Sequence, residues 1–207
     1  MDIDCLAVGP LQTNCYVISD EETLDAIVVD PGDEADRILR VIRQKKLKVN
    51  MIICTHAHFD HVGAVSKLKE ETGARVALNR DDIDIYNKAQ DQAAFWEYRI
   101  DPPPEPDVYL ADQDRVTVGH LNFEVLLTPG HSPGGICLYG EGVIVSGDTI
   151  FAGSVGRTDF YGGNIDELKK SFVEILSLPP ETRILPGHGE WSTVEREKKA
   201  NFFLGEL

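Results

Sequence analysis

Thr55-His56-Ala57-His58-Phe59-Asp60-His61 follows directly on an apolar run, Met51-Ile52-Ile53-Cys54, and sets three imidazoles and a carboxylate within six residues. An apolar run rich in isoleucine is the signature of a buried strand. His56 and His58 are two positions apart, so an extended strand exit can aim both rings to the same side. Asp60 and His61 fall in the first turn of a following helix and can face the same cavity from another angle. Imidazole and carboxylate are the groups that first-row divalent cations prefer. A single buried histidine is ordinarily a hydrogen-bonded bystander. Four such groups in one short segment would carry a real desolvation cost if nothing bound them. The segment therefore reads as a metal site at the junction of a strand and a helix.

Working outward, the same grammar recurs. Asn14–Ser19, Leu24–Asp30 and Val49–Thr55 read as strands. Between the last two, Ala35, Ile38, Leu39 and Ile42 recur at helical spacing, with Asp33 as the expected N-cap and Glu34 and Asp36 suiting the helix dipole. A second helix is expected from Asp60 to Glu71, with Val65 and Leu68 inward. The later half repeats the order. Leu121–Leu127 reads as a strand, and Gly135–Tyr139 with Gly142–Ser146 as a hairpin around Gly140-Glu141. Ile165, Leu168, Phe172 and Ile175 mark a helix, Arg183–Leu185 a short strand, and Ser192-Thr193-Val194-Glu195 a capping box opening the last helix. Asp101–Asp107, with four prolines, can only be an extended connector. Before it, Phe95, Trp96 and Tyr98 are expected in the core, the alternative being a pocket wall. Strands followed by helices, twice, predict two stacked sheets with helices outside, an α/β architecture.

Three further ligand-type residues lie just past apolar strands, where rigid scaffolds present functional groups. His131 stands in Thr128-Pro129-Gly130-His131-Ser132-Pro133-Gly134, Asp148 in Ser146-Gly147-Asp148-Thr149, and His188 in Leu185-Pro186-Gly187-His188-Gly189. His120, in the turn Val118-Gly119-His120, has no such context and reads as a surface residue.

Composition narrows the partners. The chain has 207 residues, with 42% hydrophobic and 27% charged, which suits a folded globular protein with a substantial core. A formal net charge of −15, with 20 Lys and Arg in all, disfavours nucleic acid, whose phosphates need a basic track. No apolar run approaches a membrane span. The opening Met1-Asp2-Ile3-Asp4-Cys5 lacks a basic leader, and the four cysteines form no C-x-x-C pair, so a cytoplasmic location with reduced thiols is expected. Oligomeric state is not legible in the sequence.

At these residues the chain resembles the metallo-β-lactamase-fold superfamily and, within it, the short glyoxalase II-like (hydroxyacylglutathione hydrolase-like) proteins. The likeness runs from Gly9-Pro10-Leu11-Gln12-Thr13-Asn14-Cys15-Tyr16 through the His56–His61 segment, the His131 and Asp148 loops and Gly156-Arg157-Thr158-Asp159, to Pro186-Gly187-His188-Gly189 and Glu197–Leu204. It implies a single domain over 1–207 with a four-layer αββα sandwich and two divalent cations. Zinc is the first expectation, with iron or manganese as alternatives. It also implies that His56, His58 and His131 hold one cation and that Asp60, His61 and His188 hold the other, with Asp148 bridging. The implied activity is hydrolysis of a small thioester, such as S-lactoylglutathione or a related hydroxyacyl thioester, by a metal-activated hydroxide that Asp60 orients. Arg157 is the candidate for a substrate carboxylate, the alternative being an internal clamp with Asp159. The chain stops about twenty residues after His188, so the helical carboxy-terminal extension that serves glutathione in full-length glyoxalase II is not expected. Three other readings share the fold or the ligands. A mononuclear-iron persulfide dioxygenase shares the Gly-Arg-Thr-Asp loop but uses two histidines and an aspartate. A nuclease is disfavoured by the acidic charge. A closed structural metal site would need only four ligands.

Overall fold

The computed structural model describes all residues, Met1–Leu207. In chain order the strands are β1 (Asp2–Val8), β2 (Thr13–Ser19), β3 (Asp25–Val29), β4 (Lys48–Ile53), β5 (Arg75–Leu78), β6 (Val108–Tyr109), β7 (Arg115–Val118), β8 (Leu121–Leu127), β9 (Ile136–Gly140), β10 (Val143–Gly147), β11 (Ile150–Phe151), β12 (Ser154–Val155), β13 (Arg183–Pro186) and β14 (Ser192–Thr193). The helices are α1 (Ala35–Lys45), α2 (Phe59–Val62), α3 (Val65–Thr72), α4 (Ile83–Asn87), α5 (Ala89–Phe95), α6 (Ile165–Ser177) and α7 (Val194–Ala200). One sheet runs β1-β2-β3-β4-β5-β6 and the other β14-β13-β10-β9-β8-β7. In each, an antiparallel meander gives way to parallel pairing, at β3–β4 in the first and β10–β13 in the second.

Strand alternation sorts the apolar side chains into three layers of core. Tyr16, Ile18, Ile27 and Ile53 of the first sheet meet Phe123, Val125, Ile136 and Val145 of the second in the middle. The other face of the first sheet, through Cys15, Val17, Val28 and Ile52, packs on Ile38 and Leu39 of α1 and Val65 and Leu68 of α3. The other face of the second, through Cys137 and Ile144, packs on Leu168, Phe172 and Ile175 of α6 and Val194 of α7. Helix, sheet, sheet, helix: this is the αββα sandwich. Each central strand is buried on both faces, which is why β2 to β4 and β10 read as nearly continuous apolar runs.

Several local expectations are corrected. The single helix expected from Asp60 to Glu71 is two, because the Ala64 N–H leaves the helical ladder and donates to the Pro31 carbonyl at 2.9 Å, with Gly63 lying against the chain at Gly32. A Cβ on Gly63 would stand 2.3 Å from the Gly32 carbonyl oxygen. Asp33 does not cap α1: Glu34 takes that place in a left-handed conformation, and Asp33 accepts from its neighbour's N–H and from the Tyr98 hydroxyl. In α7 the cap is Thr193, one residue later than expected, accepting from the Arg196 N–H at 3.2 Å. Of the three aromatics before the proline segment, only Tyr98 packs inward, 6.2 Å from Phe59, while Phe95 is 81% exposed and Trp96 53%. No helix is long and apolar enough to cross a membrane.

Asp20 joins the turn after β2 to the turn between β7 and β8. It accepts from the backbone N–H of His120 at 2.5 Å and of Glu22 at 2.8 Å. His120 keeps an exposed ring, as expected, with its Nδ1 2.9 Å from the same carboxylate. These N–H groups, His120's first, pull the Asp20 carboxyl down to about 2, from an ordinary value of about 3.9. A carboxyl depressed on folding stabilises the protein above its unfolded value, and that stabilisation disappears as pH falls through the folded one. Asp20→Ala is therefore expected to lower Tm at neutral pH. The gap from wild type should close between about pH 4 and about pH 2, as followed by thermal melts across that range.

Candidate metal centre

The seven side chains expected to ligate come from four strand ends and meet at one edge of the sandwich. The exit of β4 carries His56 and His58, and α2 presents Asp60 and His61 from its one turn. The loops after β8, β10 and β13 supply His131, Asp148 and His188. Two three-residue groups of these seven form, His56 with His58 and His131, and Asp60 with His61 and His188, each with its ligand atoms within 4.8 Å of one another, and a third group, Asp30 with His56 and His61, overlaps both.

Asp148 stands between them. One of its oxygens lies 3.6 Å from His131 Nε2 and 3.6 Å from His188 Nε2, and the other 3.5 Å from His61 Nε2. In the first group His58 Nδ1 and His131 Nε2 face each other at 2.9 Å. In the second, His61 Nε2 and His188 Nε2 are 3.3 Å apart, and Asp60 Oδ2 is 3.3 Å from His188 Nε2.

The outer partners decide which ring nitrogens are free. His131 Nδ1 meets the carbonyl oxygen of Arg157 at 2.7 Å, and His188 Nδ1 that of Leu11 at 3.1 Å. A carbonyl can only accept, so each Nδ1 carries the proton and each Nε2 turns a lone pair to the cavity. His61 Nδ1 donates to Asp30 Oδ2 at 3.0 Å by the same logic. Such partners fix the tautomer and orientation of metal-binding imidazoles. Two buried atoms are left with no hydrogen-bond partner at all, His56 Nε2 and Asp148 Oδ1. Buried polar atoms are rarely orphaned. Lone pairs converging from two sides on such orphans fit a pair of cations.

Charge points the same way. Burial alone would keep His61 neutral, but Asp60, Asp148 and Asp30 around it lift it to about 10. Burial also opposes ionisation of Asp60, and His61 with the His188 contact outweighs it, holding that carboxyl below the usual range. Burial, with the neighbouring histidines, pushes His56 down, and burial with His131 pushes His58 down to about 3. The half nearer Asp60 thus attracts positive charge, and in the other half His56 and His58 offer neutral imidazoles.

Asp30 is the functional residue that sequence reading overlooked. Fully buried in a left-handed conformation at the end of β3, it holds Thr55 through that residue's N–H and hydroxyl, both at 2.7 Å, besides His61. The signal was present: Asp30-Pro31-Gly32 is a carboxylate followed by turn residues just past an apolar strand, as with Asp148. Asp30→Ala is expected to weaken binding of a divalent cation by the 10- to 100-fold that loss of an outer partner typically costs. Titration of the metal-free protein checks this, and unchanged affinity would dismiss the role. Thr13 was also missed; its hydroxyl donates to Asp60 Oδ2 at 3.0 Å. So were Asn14 and Tyr16, which donate to the Pro186 carbonyl at 2.9 and 2.7 Å and so hold the His188 loop against the first sheet.

Arg157 forms the clamp. Its guanidinium donates twice to Asp159, at 2.6 Å each, and lies over the Phe160 ring at 3.9 Å. Phe160 in turn stands edge-on to His58 at 5.5 Å. The clamp shapes the loop whose Arg157 carbonyl reaches His131. No side chain can replace Gly156 here, since a Cβ would fall 1.9 Å from the Asp148 carbonyl oxygen.

Comparison with known proteins places this geometry in a family. The hydroxyacylglutathione hydrolase GloC of Haemophilus influenzae is 34% identical over 99% of this chain and 98% of its own. The crystal structure of TTHA1623 in a di-iron-bound form superposes with a TM-score of 0.90 at 40% identity, covering 97% of this chain and 99% of that one. ETHE1 from Myxococcus xanthus superposes with a TM-score of 0.84 at 29% identity, covering all of this chain and 85% of its own. Residues 8–188 match the metallo-beta-lactamase superfamily, and the chain belongs to that superfamily.

Proposed function

We propose that this protein is a binuclear metal-dependent hydrolase acting on a small thioester, S-lactoylglutathione or a related hydroxyacyl thioester. The reading rests on one observation above the others: seven ligand-type side chains converge at one edge of the sandwich, and two of them, His56 and Asp148, keep a buried polar atom that nothing in the protein satisfies. The likeness to GloC over nearly the whole chain supports the substrate class.

In this reading His56, His58 and His131 hold one cation, Asp60, His61 and His188 the other, and Asp148 spans them, with zinc the first candidate and iron or manganese next. A pair of divalent cations supplies, when bound, acidified water and polarisation of a carbonyl. The chain's own residues do the positioning. Asp60 Oδ2, already fixed by the Thr13 hydroxyl, accepts the proton-bearing side of the attacking water and orients it. A thiolate leaves without a strong general acid, which suits a site where the protonated ring nitrogens of His131 and His188 are turned outward. Arg157 is the rim cation for a substrate carboxylate, which would compete with Asp159 for the same planar guanidinium. The acidic net charge supports a small-molecule partner rather than nucleic acid, and the four free cysteines suit a reducing, cytoplasmic setting.

The test is metal content of the purified protein paired with a thioester panel that includes S-lactoylglutathione. Two cations per chain with thioester turnover are expected. One iron per chain with oxygen uptake on persulfide would favour a second reading, a dioxygenase, to which the Gly156–Asp159 loop lends support.

A further inference from the structure

A second buried carboxylate lies behind the metal centre, and no ligand role accounts for it. Asp82 is fully buried at the end of the short turn Arg80–Asp82 that follows β5. Its Oδ2 accepts from the Ala57 N–H and from the Ser132 hydroxyl, each at 2.9 Å, and its Oδ1 from the Gly134 N–H at 2.6 Å. Ala57 is the residue between His56 and His58, and Ser132 directly follows His131. One carboxylate therefore grips both loops that carry the first group of histidines. The turn that presents it is itself built: the Asn79 side chain accepts from the Asp81 N–H at 2.9 Å and donates to the Leu110 carbonyl at 2.8 Å. Gly134 permits the approach, because a Cβ there would sit 2.6 Å from the Asp82 nitrogen.

No lysine or arginine pairs with this carboxylate, and burial pushes its carboxyl up. A buried charge held only by N–H and O–H dipoles is costly to maintain. A hydrophobic side chain would fill the space without that cost but could not hold two loops in fixed relation. The three donors bond only the backbone and side chain next to His56, His58 and His131, and none touches Asp60, His61 or His188.

We infer that Asp82 is a positioning residue specific to one half of the metal centre: it sets the spacing of the His56–His58 loop against the His131 loop and so the affinity of that half alone. This rests on the two-cation reading above. Asp82→Asn preserves shape but cannot preserve the grip. Whichever way the amide is turned, its NH2 replaces an acceptor that now faces a backbone N–H, of Gly134 on one side or Ala57 on the other.

The experiment titrates metal-free protein with Co2+ and with Zn2+ against a chromophoric chelator, alongside thermal melts. His131→Ala and His188→Ala identify which binding step belongs to which half. Wild type is expected to show two steps. In Asp82→Asn the step lost in His131→Ala should weaken 10- to 100-fold, as for other outer partners, while the step lost in His188→Ala stays within about two-fold. Two unchanged steps, or equal weakening of both with a lowered Tm, would overturn the inference and leave the two-cation reading standing. A wild type with fewer than two steps would overturn that reading, and this inference with it. Should Asp82→Asn fail to fold, Ser132→Ala decides, since it removes one of the three bonds. About five-fold weakening of the first step alone supports the role, and equal or no weakening of the two steps refutes it.

Discussion

On the binuclear thioesterase reading, Asp148→Ala should strip the protein of both cations, whereas His56→Ala should remove one, and in each case thioester turnover should fall by more than about 100-fold, beyond the loss an outer partner causes. The difference in stoichiometry follows from placement. Asp148 has oxygens within 3.6 Å of His61, His131 and His188 and so touches both groups. His56 belongs with His58 and His131, and its Nε2 faces the cavity unpaired. Removing Asp148 also leaves the His56, His58 and His131 half with no carboxylate to offset a bound charge. Elemental analysis after dialysis and initial rates on a thioester panel read both effects. Full metal content and activity in His56→Ala would end the assignment.

The largest effect on stability is expected from Gly32→Ala. A Cβ on Gly32 would stand 1.6 Å from the Asp60 carbonyl oxygen and 2.7 Å from its carbon. Both partners are backbone, and α2 is a single turn wedged between this contact and Gly63, so neither side can yield by rotating a side chain. The cost should exceed about 4 kcal/mol, the range reached only when core geometry is broken, or the variant should fail to fold. Gly73→Ala is the internal control. Gly73 ends α3 at φ +69° with nothing within 4 Å of the added carbon, so only the left-handed backbone is penalised, by about 1–2 kcal/mol. Urea titration of the two variants separates them, and similar midpoints would show that the Gly32 contact is not rigid.

What the sequence disclosed and what it hid divide along one physical line. Where burial imposed a period over a longer element the reading held, as for Ile38, Leu39 and Ile42 on α1, Leu168, Phe172 and Ile175 on α6, and the apolar runs of β2, β4 and β10, whereas the short buried β5, α4 and α5 went unread. β1 and β7 escaped because one face of each is open, and Asp2, Asp4, Arg115 and Thr117 interrupt the pattern. Ligand-type residues were legible because histidines and aspartates past strand ends announce themselves singly. Asp82 was not, since an aspartate without such a place becomes meaningful only through the donors that fold around it, and those lie 25 to 52 residues away. The break after Gly63 was equally silent, because the carbonyl that takes the Ala64 N–H belongs to Pro31, on the far side of α1 and β4.

The two sheets each contribute their own share of the cavity: β4 and α2 bring four of the seven groups, and the loops after β8, β10 and β13 bring the other three. An ion seated among them is then a keystone in the arch as well as a reagent, since it can be gripped only after both halves of the chain have come together. By mass action such an ion adds about 2.7 kcal/mol when present at a hundred times its dissociation constant. Scarcity of metal would accordingly loosen the sandwich itself, coupling the lifetime of the folded chain to the supply of the ion it works with.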